Sequence, residues 1–281
     1  MPEELGGVVV ALALVSAFLH AGWNAAVEAS ADARGAMAAQ VMGSGLAAIP
    51  ILAFLPLPTS SALPWLCASA VFNFLALFTL LRGYETGGGF GFVYPMARAT
   101  SPLLVLLLAN ALQGEAVRPI GSAGIVLVSG GVALFACGEG RQRKSALLYA
   151  LLAGVFSAAY AICDANGARH SPSVLGYGFT MSMVNAAVFG SFHKFRNGVS
   201  IVNALRSHLG MATLGAAAGT SSYLLILFVW SRAPIAIGSA LRDTSVVFAA
   251  LIAARLGEGL SRQRLAAIAL VTCGACLIRF A

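Results

Sequence analysis

The chain has 281 residues, of which 59% are apolar and 10% charged, with a mean hydropathy of +0.87. A soluble domain carries about 25% charged residues, so the charged shell that water demands is missing and the solvent must be lipid. A spanning helix uses about 20 apolar residues, which leaves room for ten spans and short loops but no second folded domain; the formal net charge of +7 sits mostly as single Lys and Arg between apolar runs, where membrane orientation accounts for it better than a nucleic-acid partner does.

The first apolar run, 6–28, follows Glu3 and Glu4 rather than a positive segment and is too long for a signal peptide, so it is expected as the first span. Ser16, His20, Asn24 and Glu28 recur along it every four residues and form one polar stripe, with Trp23 beside it. Spans two and three are expected at 35–55 and 63–84. Gly87, Gly88 and Gly89 then read as a loose connection to a fourth span at 90–112, on which Tyr94, Arg98 and Ser101 share a face. Pro95 and Pro102 each remove a helical hydrogen bond there, so a bent or broken helix is expected, either a moving hinge or a static kink. The fifth span is 119–137, and the sixth, 145–166, carries Ser157, Tyr160 and Asp164 on one face. Spans 174–193, 208–231, 234–256 and 262–280 complete the ten, with Tyr223 in the eighth and Arg242 and Asp243 in the ninth.

A shift of 143 residues lays Gly114-Glu115 onto Gly257-Glu258, and Gly131 and Leu134 onto Gly274 and Leu277. An odd number of spans per half makes two copies insert in opposite senses, so the expected architecture is all-α, two inverted five-helix repeats, 1–140 and 141–281, around a central cavity within one membrane unit. Eleven loop Lys and Arg on the side opposite the termini, against four on the terminal side, favour both termini outside the cytoplasm. The five cysteines fall in or at the ends of apolar runs and are read as small core residues rather than as a disulfide framework or zinc site. No hydrolase, zinc-protease or phosphate-loop motif is present, and Asp164 lacks the nearby aspartates a divalent metal would need, the next being Asp243. Neither enzyme activity, metal nor cofactor is expected.

Polar groups deep in a span cost about 2.5 to 3.5 kcal/mol each unless paired or facing water. Arg98 lies about as deep in its span as Arg242 and Asp243 do in theirs, in corresponding elements of the two halves. They are either ion pairs that lock helices together or walls of a solvated site. His20 and Asn24 are open to the same two readings.

The stretches His20-Ala-Gly-Trp-Asn24, Tyr94-Pro-Met-Ala-Arg98 with Ser101-Pro-Leu-Leu, Tyr160 to Asp164, and Leu241-Arg-Asp-Thr-Ser-Val-Val-Phe-Ala-Ala250 resemble the EamA-like family of the drug/metabolite transporter superfamily. The resemblance implies ten helices, a central cavity, alternating access, and secondary transport of a small metabolite, often export of amino acids. It also implies cytoplasmic termini, against the loop count. The expected reading is a multi-pass transporter of the bacterial inner (plasma) membrane, monomer or homodimer, moving a zwitterionic or anionic metabolite. Arg98 and Arg242 would bind the anionic group bidentately, and Asp164 and Asp243 would neutralise them in the empty site. Trp23, Tyr94, Tyr160 and Tyr223 would contact the apolar part, with His20 and Asn24 completing the substrate site. Glu28, Asp164 and Asp243 are the candidates to carry a coupling proton. A non-transporting scaffold or receptor subunit, or an intramembrane enzyme, are the alternatives.

Overall fold

The computed structural model describes residues 6–137, 144–197, 200–255 and 261–280, with backbone only at 87–91, 193 and 195–197. In hydrocarbon no water satisfies a backbone polar group, so each segment must close its own hydrogen bonds, and every regular element among the described residues is helical. In order these are α1 (Gly7–Glu28), α2 (Ala33–Leu52), α3 (Leu63–Gly83), α4 (Gly89–Gln113), α5 (Pro119–Ala136) and α6 (Lys144–Arg169). Then come α7 (Val174–Asn197), α8 (Ile201–Ser207), α9 (Ala216–Arg232), α10 (Ile235–Asp243), α11 (Ser245–Arg255) and α12 (Arg262–Ile278).

Among the described residues, eight stretches are long and apolar enough to cross a membrane: α1 to α6, Met211–Arg232 and Ile235–Arg255. Of the other two expected spans, α7 carries Lys194 and Arg196 at its C-terminal end, and α12 has 17 residues. Helix starts follow local chemistry. The Asp32 carboxylate accepts from the Gly35 amide at 2.9 Å, Ser261 Oγ accepts from the Arg264 amide at 3.2 Å, and Pro119 occupies the first turn of α5.

Three local expectations change. The connection at Gly87–Gly89 is not loose: a π-helical turn, Tyr84–Gly88, leads from α3 into α4. α4 continues as helix through both Pro95 and Pro102. The ninth span is the one that breaks, between α10 and α11 at Thr244. There the Thr244 hydroxyl donates to Leu241 O at 2.6 Å and its amide to the same carbonyl at 3.3 Å, pulling the chain into a tighter turn that interrupts the α-helical ladder.

The cysteines also differ from expectation. Only Cys163 is buried, while Cys67, Cys137, Cys273 and Cys276 lie on exposed surfaces. Cys273 and Cys276 stand in CxxC spacing on α12, as free thiols. Apolar side chains such as Phe18, Leu107 and Leu214 are likewise exposed, which in lipid costs nothing.

Small residues set the closest helix crossings, as they do where lipid removes the hydrophobic drive between helices. α5 meets α12 so tightly that a Cβ at Gly124 would lie 2.7 Å from Gly274 O, and one at Gly274 would lie 2.6 Å from Gly124 O. A Cβ at Gly131 would lie 2.9 Å from Ala267 O. α1 packs on α9 and α6 on α3, while α2 packs on α7 and α4 on α10. The α1–α9 contact is pinned by Ser16 Oγ donating to Ser222 O (2.7 Å) and Ser222 Oγ to Ser16 O (2.8 Å).

Candidate functional site

Two cavities lie along the interface of the two halves. The central one, about 240 Å³, is lined from α1 by His20 and Trp23, from α2 by Gln40 and Ser44, from α3 by Asn73, Phe74 and Leu77, and from α4 by Arg98. The second half adds Tyr160, Ser182, Asn185, Phe189, Gly219, Thr220, Tyr223 and Arg242. A larger vestibule of about 500 Å³ adjoins it, with Asn24, Glu28, Arg34, Arg82, Tyr84, Glu85 and Tyr94 among its walls. Leu77 and Phe189 border both and mark the neck between them.

The expected residues are divided among three settings. His20, Trp23, Arg98, Tyr160, Tyr223 and Arg242 line the central cavity. Asn24, Tyr94 and Glu28 line the vestibule instead, with Glu28 exposed at its edge. Asp164 and Asp243 line neither; both are buried behind the wall. The polar stripe of α1 is therefore split: Ser16 fastens α9, His20 faces the central cavity, and Asn24 both reaches the vestibule and donates back to His20 O at 2.7 Å.

The two arginines differ. Arg98 Nη1 donates to Asp243 Oδ1 at 3.0 Å, its Nη2 contacts His20 Nε2, and its guanidinium lies 5.2 Å from the centre of the Tyr94 ring. A guanidinium can only donate, so His20 Nε2 accepts and the ring proton sits on Nδ1, which is buried without a partner. Arg242 is also buried, but no described carboxylate pairs with it. Its guanidinium stands 5.8 Å from the centre of the Trp230 ring, and its Nε–H has no hydrogen-bond partner among the described residues.

Of the two aspartates expected beside the arginines, only Asp243 forms an ion pair among the described residues. Asp164 is held by hydroxyls: Ser69 Oγ donates to Oδ1 at 2.6 Å, Tyr177 to Oδ1 at 3.1 Å, and Tyr223 to Oδ2 at 2.9 Å. Three elements converge on it, because α3, α7 and α9 each pack against α6. Ser69 and Tyr177 were not among the expected site residues, nor were Gln40, Asn73 and Asn185 in the cavity wall. All but Tyr177 are polar groups well inside apolar helices, so the depth argument that found the charges extends to these amides and hydroxyls.

A further charged network closes the face where α1 begins. Arg169, ending α6, donates from Nη1 to Glu115 Oε1 at 2.5 Å, and from Nε and Nη2 to Trp230 O at 3.1 and 2.8 Å. It also reaches Ala233 O at 3.1 Å, while Glu115 Oε2 accepts from the Ile235 amide at the start of α10 at 2.9 Å. One carboxylate thus joins the first half to three segment ends of the second. The Gly114-Glu115 pair noted for its repetition does this work through its acid, while Gly114 turns the chain at φ 66°; its proposed counterpart Gly257-Glu258 lies outside the described residues.

No curated protein matches the sequence. A solved crystal structure, titled only "Crystal structure of protein", shares the fold with a TM-score of 0.74 at 17% identity, over 96% of this chain and 97% of that chain. The model of the EamA-like transporter family matches residues 144–280. The second half of the chain is thereby similar to the EamA-like family of the drug/metabolite transporter superfamily, and the apolar helices are those of a multi-pass membrane protein.

Proposed function

We propose that the protein is a secondary transporter that moves a small anionic or zwitterionic metabolite by alternating access across the bacterial inner membrane. The observation that carries this reading is Arg242, a guanidinium on the wall of a membrane-embedded cavity with no described carboxylate within ion-pair distance. The Arg98–Asp243 pair alone would suit a scaffold held together by buried charge, since paired groups can serve packing. A permanently charged group left unpaired in a chamber calls for an anion from outside.

In this reading Arg242 grips the anionic group, and Arg98, oriented by Asp243 and His20, supplies a second positive contact once substrate competes with Asp243. Tyr160, Tyr223 and Trp23 flank the bound molecule, while Tyr94 and Asn24 meet it earlier, in the vestibule. Substrate enters past Leu77 and Phe189. The opposite face is held shut by Glu115 and Arg169, so the arrangement corresponds to a state open toward the Lys- and Arg-rich face, the cytoplasmic one by the loop count. Changing state requires that lock to part and the neck to close, with the break at Thr244 and the prolines Pro95 and Pro102 of α4 as points of bending. Asp164 and Asp243 remain the candidates for a coupling proton at the site, with Glu28 at the vestibule edge.

The ten-span inverted repeat, 1–140 and 141–281, is part of the proposal. It is supported by contacts that exchange under the shift of 143 residues: Gly124 against Gly274 becomes Ala267 against Gly131, and both are present. Likewise α1 on α9 exchanges with α6 on α3.

The test is counterflow in liposomes reconstituted with purified protein and a labelled carboxylate metabolite. Wild type exchanges label, and Arg98→Ala and Arg242→Ala do not, while both variants keep a wild-type elution profile. If both variants exchange at the normal rate, the anion site is elsewhere.

A further inference from the structure

The central cavity is lined for one sign of charge. Among its described lining residues are two guanidiniums and an imidazole, and no carboxylate. The two acids behind the wall are occupied, Asp243 by Arg98 and Asp164 by three hydroxyl donors. The remaining polar lining is neutral: Gln40, Asn73 and Asn185 with five hydroxyl residues.

The lining residues that carry buried, unpartnered polar atoms add to this. Arg242 Nε–H, Trp23 Nε1–H and the proton-bearing Nδ1 of His20 can only donate, and the Thr220 hydroxyl can donate as well. The charged lining supplies donors only, and the acceptors of the site are neutral amide and hydroxyl oxygens. A carboxylate supplies several acceptor positions at once. An α-ammonium group brings three more donors and a second charge, which must shed water without a described carboxylate in the lining to receive it.

From this, and resting on the transport reading above, we propose that the site selects anions whose other polar groups are uncharged, with α-hydroxy acids as the model class, and discriminates against the α-amino acid of the same carbon skeleton. A hydroxyl in place of the ammonium can donate to the amide oxygens of Gln40, Asn73 or Asn185 and accept from Thr220, so the neutral wall matches it. The site thereby reads the substituent beside the carboxylate as well as the carboxylate.

The experiment measures calorimetric binding to the full-length protein in nanodiscs with matched pairs, lactate against alanine and phenyllactate against phenylalanine. The hydroxy acid should bind at least about 10-fold more tightly within each pair, the equivalent of about 1.4 kcal/mol. Trp23→Phe, which removes the indole N–H and keeps an aromatic ring, should weaken hydroxy-acid binding severalfold with an unchanged thermal midpoint. Equal or tighter binding of the amino acids overturns the proposal, as does absence of binding by both members of each pair. Counterflow with the same ligands separates the two readings. Amino acids that bind preferentially and are exchanged sink the selectivity but leave transport standing; hydroxy acids that bind preferentially without being exchanged keep the selectivity and sink transport.

Discussion

Arg98 and Arg242 occupy equivalent depths and are set apart by their neighbours. Asp243 is buried against Arg98, so Asp243→Asn strands a guanidinium largely out of water. Breaking a buried pair from one side costs about 3 kcal/mol or more, and denaturant unfolding in detergent should show a loss of that order. Arg242 has no ion-pair partner among the described residues to strand. Arg242→Ala should leave stability nearly unchanged while lowering affinity for a carboxylate ligand about 10- to 100-fold, the range of a lost charge-assisted hydrogen bond at about 1.5 to 3 kcal/mol; calorimetry on the same preparation reads both. A large stability loss in Arg242→Ala would mean that the residue serves packing instead. Gly219 belongs with these residues. A side chain there would run into the Gln40 amide, so Gly219→Ala should narrow the cavity and weaken bulkier ligands more than lactate, as competition binding would reveal.

Among the elements, α5 and α12 depend on backbone reaching backbone. Any side chain at Gly274 meets Gly124 O and the Val128 amide, neither of which can swing aside, so Gly274→Leu forces the helices apart. Overpacking costs about 1 to 3 kcal/mol or more, and the variant should give a lower thermal midpoint and less monodisperse protein. Gly22, with nothing within 4 Å of its would-be Cβ, is the control: Gly22→Ala should be neutral or stabilising by up to about 1 kcal/mol. The ninth span shows why element reading has limits. Its break at Thr244 involves no proline or glycine, only a hydroxyl and an amide sharing Leu241 O. α4, with two prolines, stays helical throughout, because neighbouring groups in a bundle can absorb the lost bonds.

At the scale of the molecule, the Glu115–Arg169 salt bridge ties the halves together at the face where α1 begins. Glu115 also satisfies the Ile235 amide at the start of α10, so Glu115→Gln weakens the charge contact and the cap together. Amide hydrogen exchange should speed up at Ile235 to Gly238 while α5 and α12 keep their protection. Unchanged exchange there would mean that the face is held shut by packing alone.

Composition and pattern by themselves determined that the solvent is lipid, where eight of the ten expected spans lie to within a few residues, and that charges sit at depth on the fourth and ninth. Those properties follow from local residue type, since a backbone in hydrocarbon must form helix whatever its neighbours are. Which acid meets which arginine was decided only by the tertiary structure. Arg98 finds Asp243 across 145 residues of sequence, and Asp164, just as near in the expected site, is taken instead by Ser69, Tyr177 and Tyr223. Pairing depends on helix rotation and side-chain reach to within an ångström or so, and neither is encoded in any short stretch of the chain. The same holds for Asn24 and Tyr94, assigned to the substrate by their spacing and placed in the vestibule by the tilt and packing of α1 and α4.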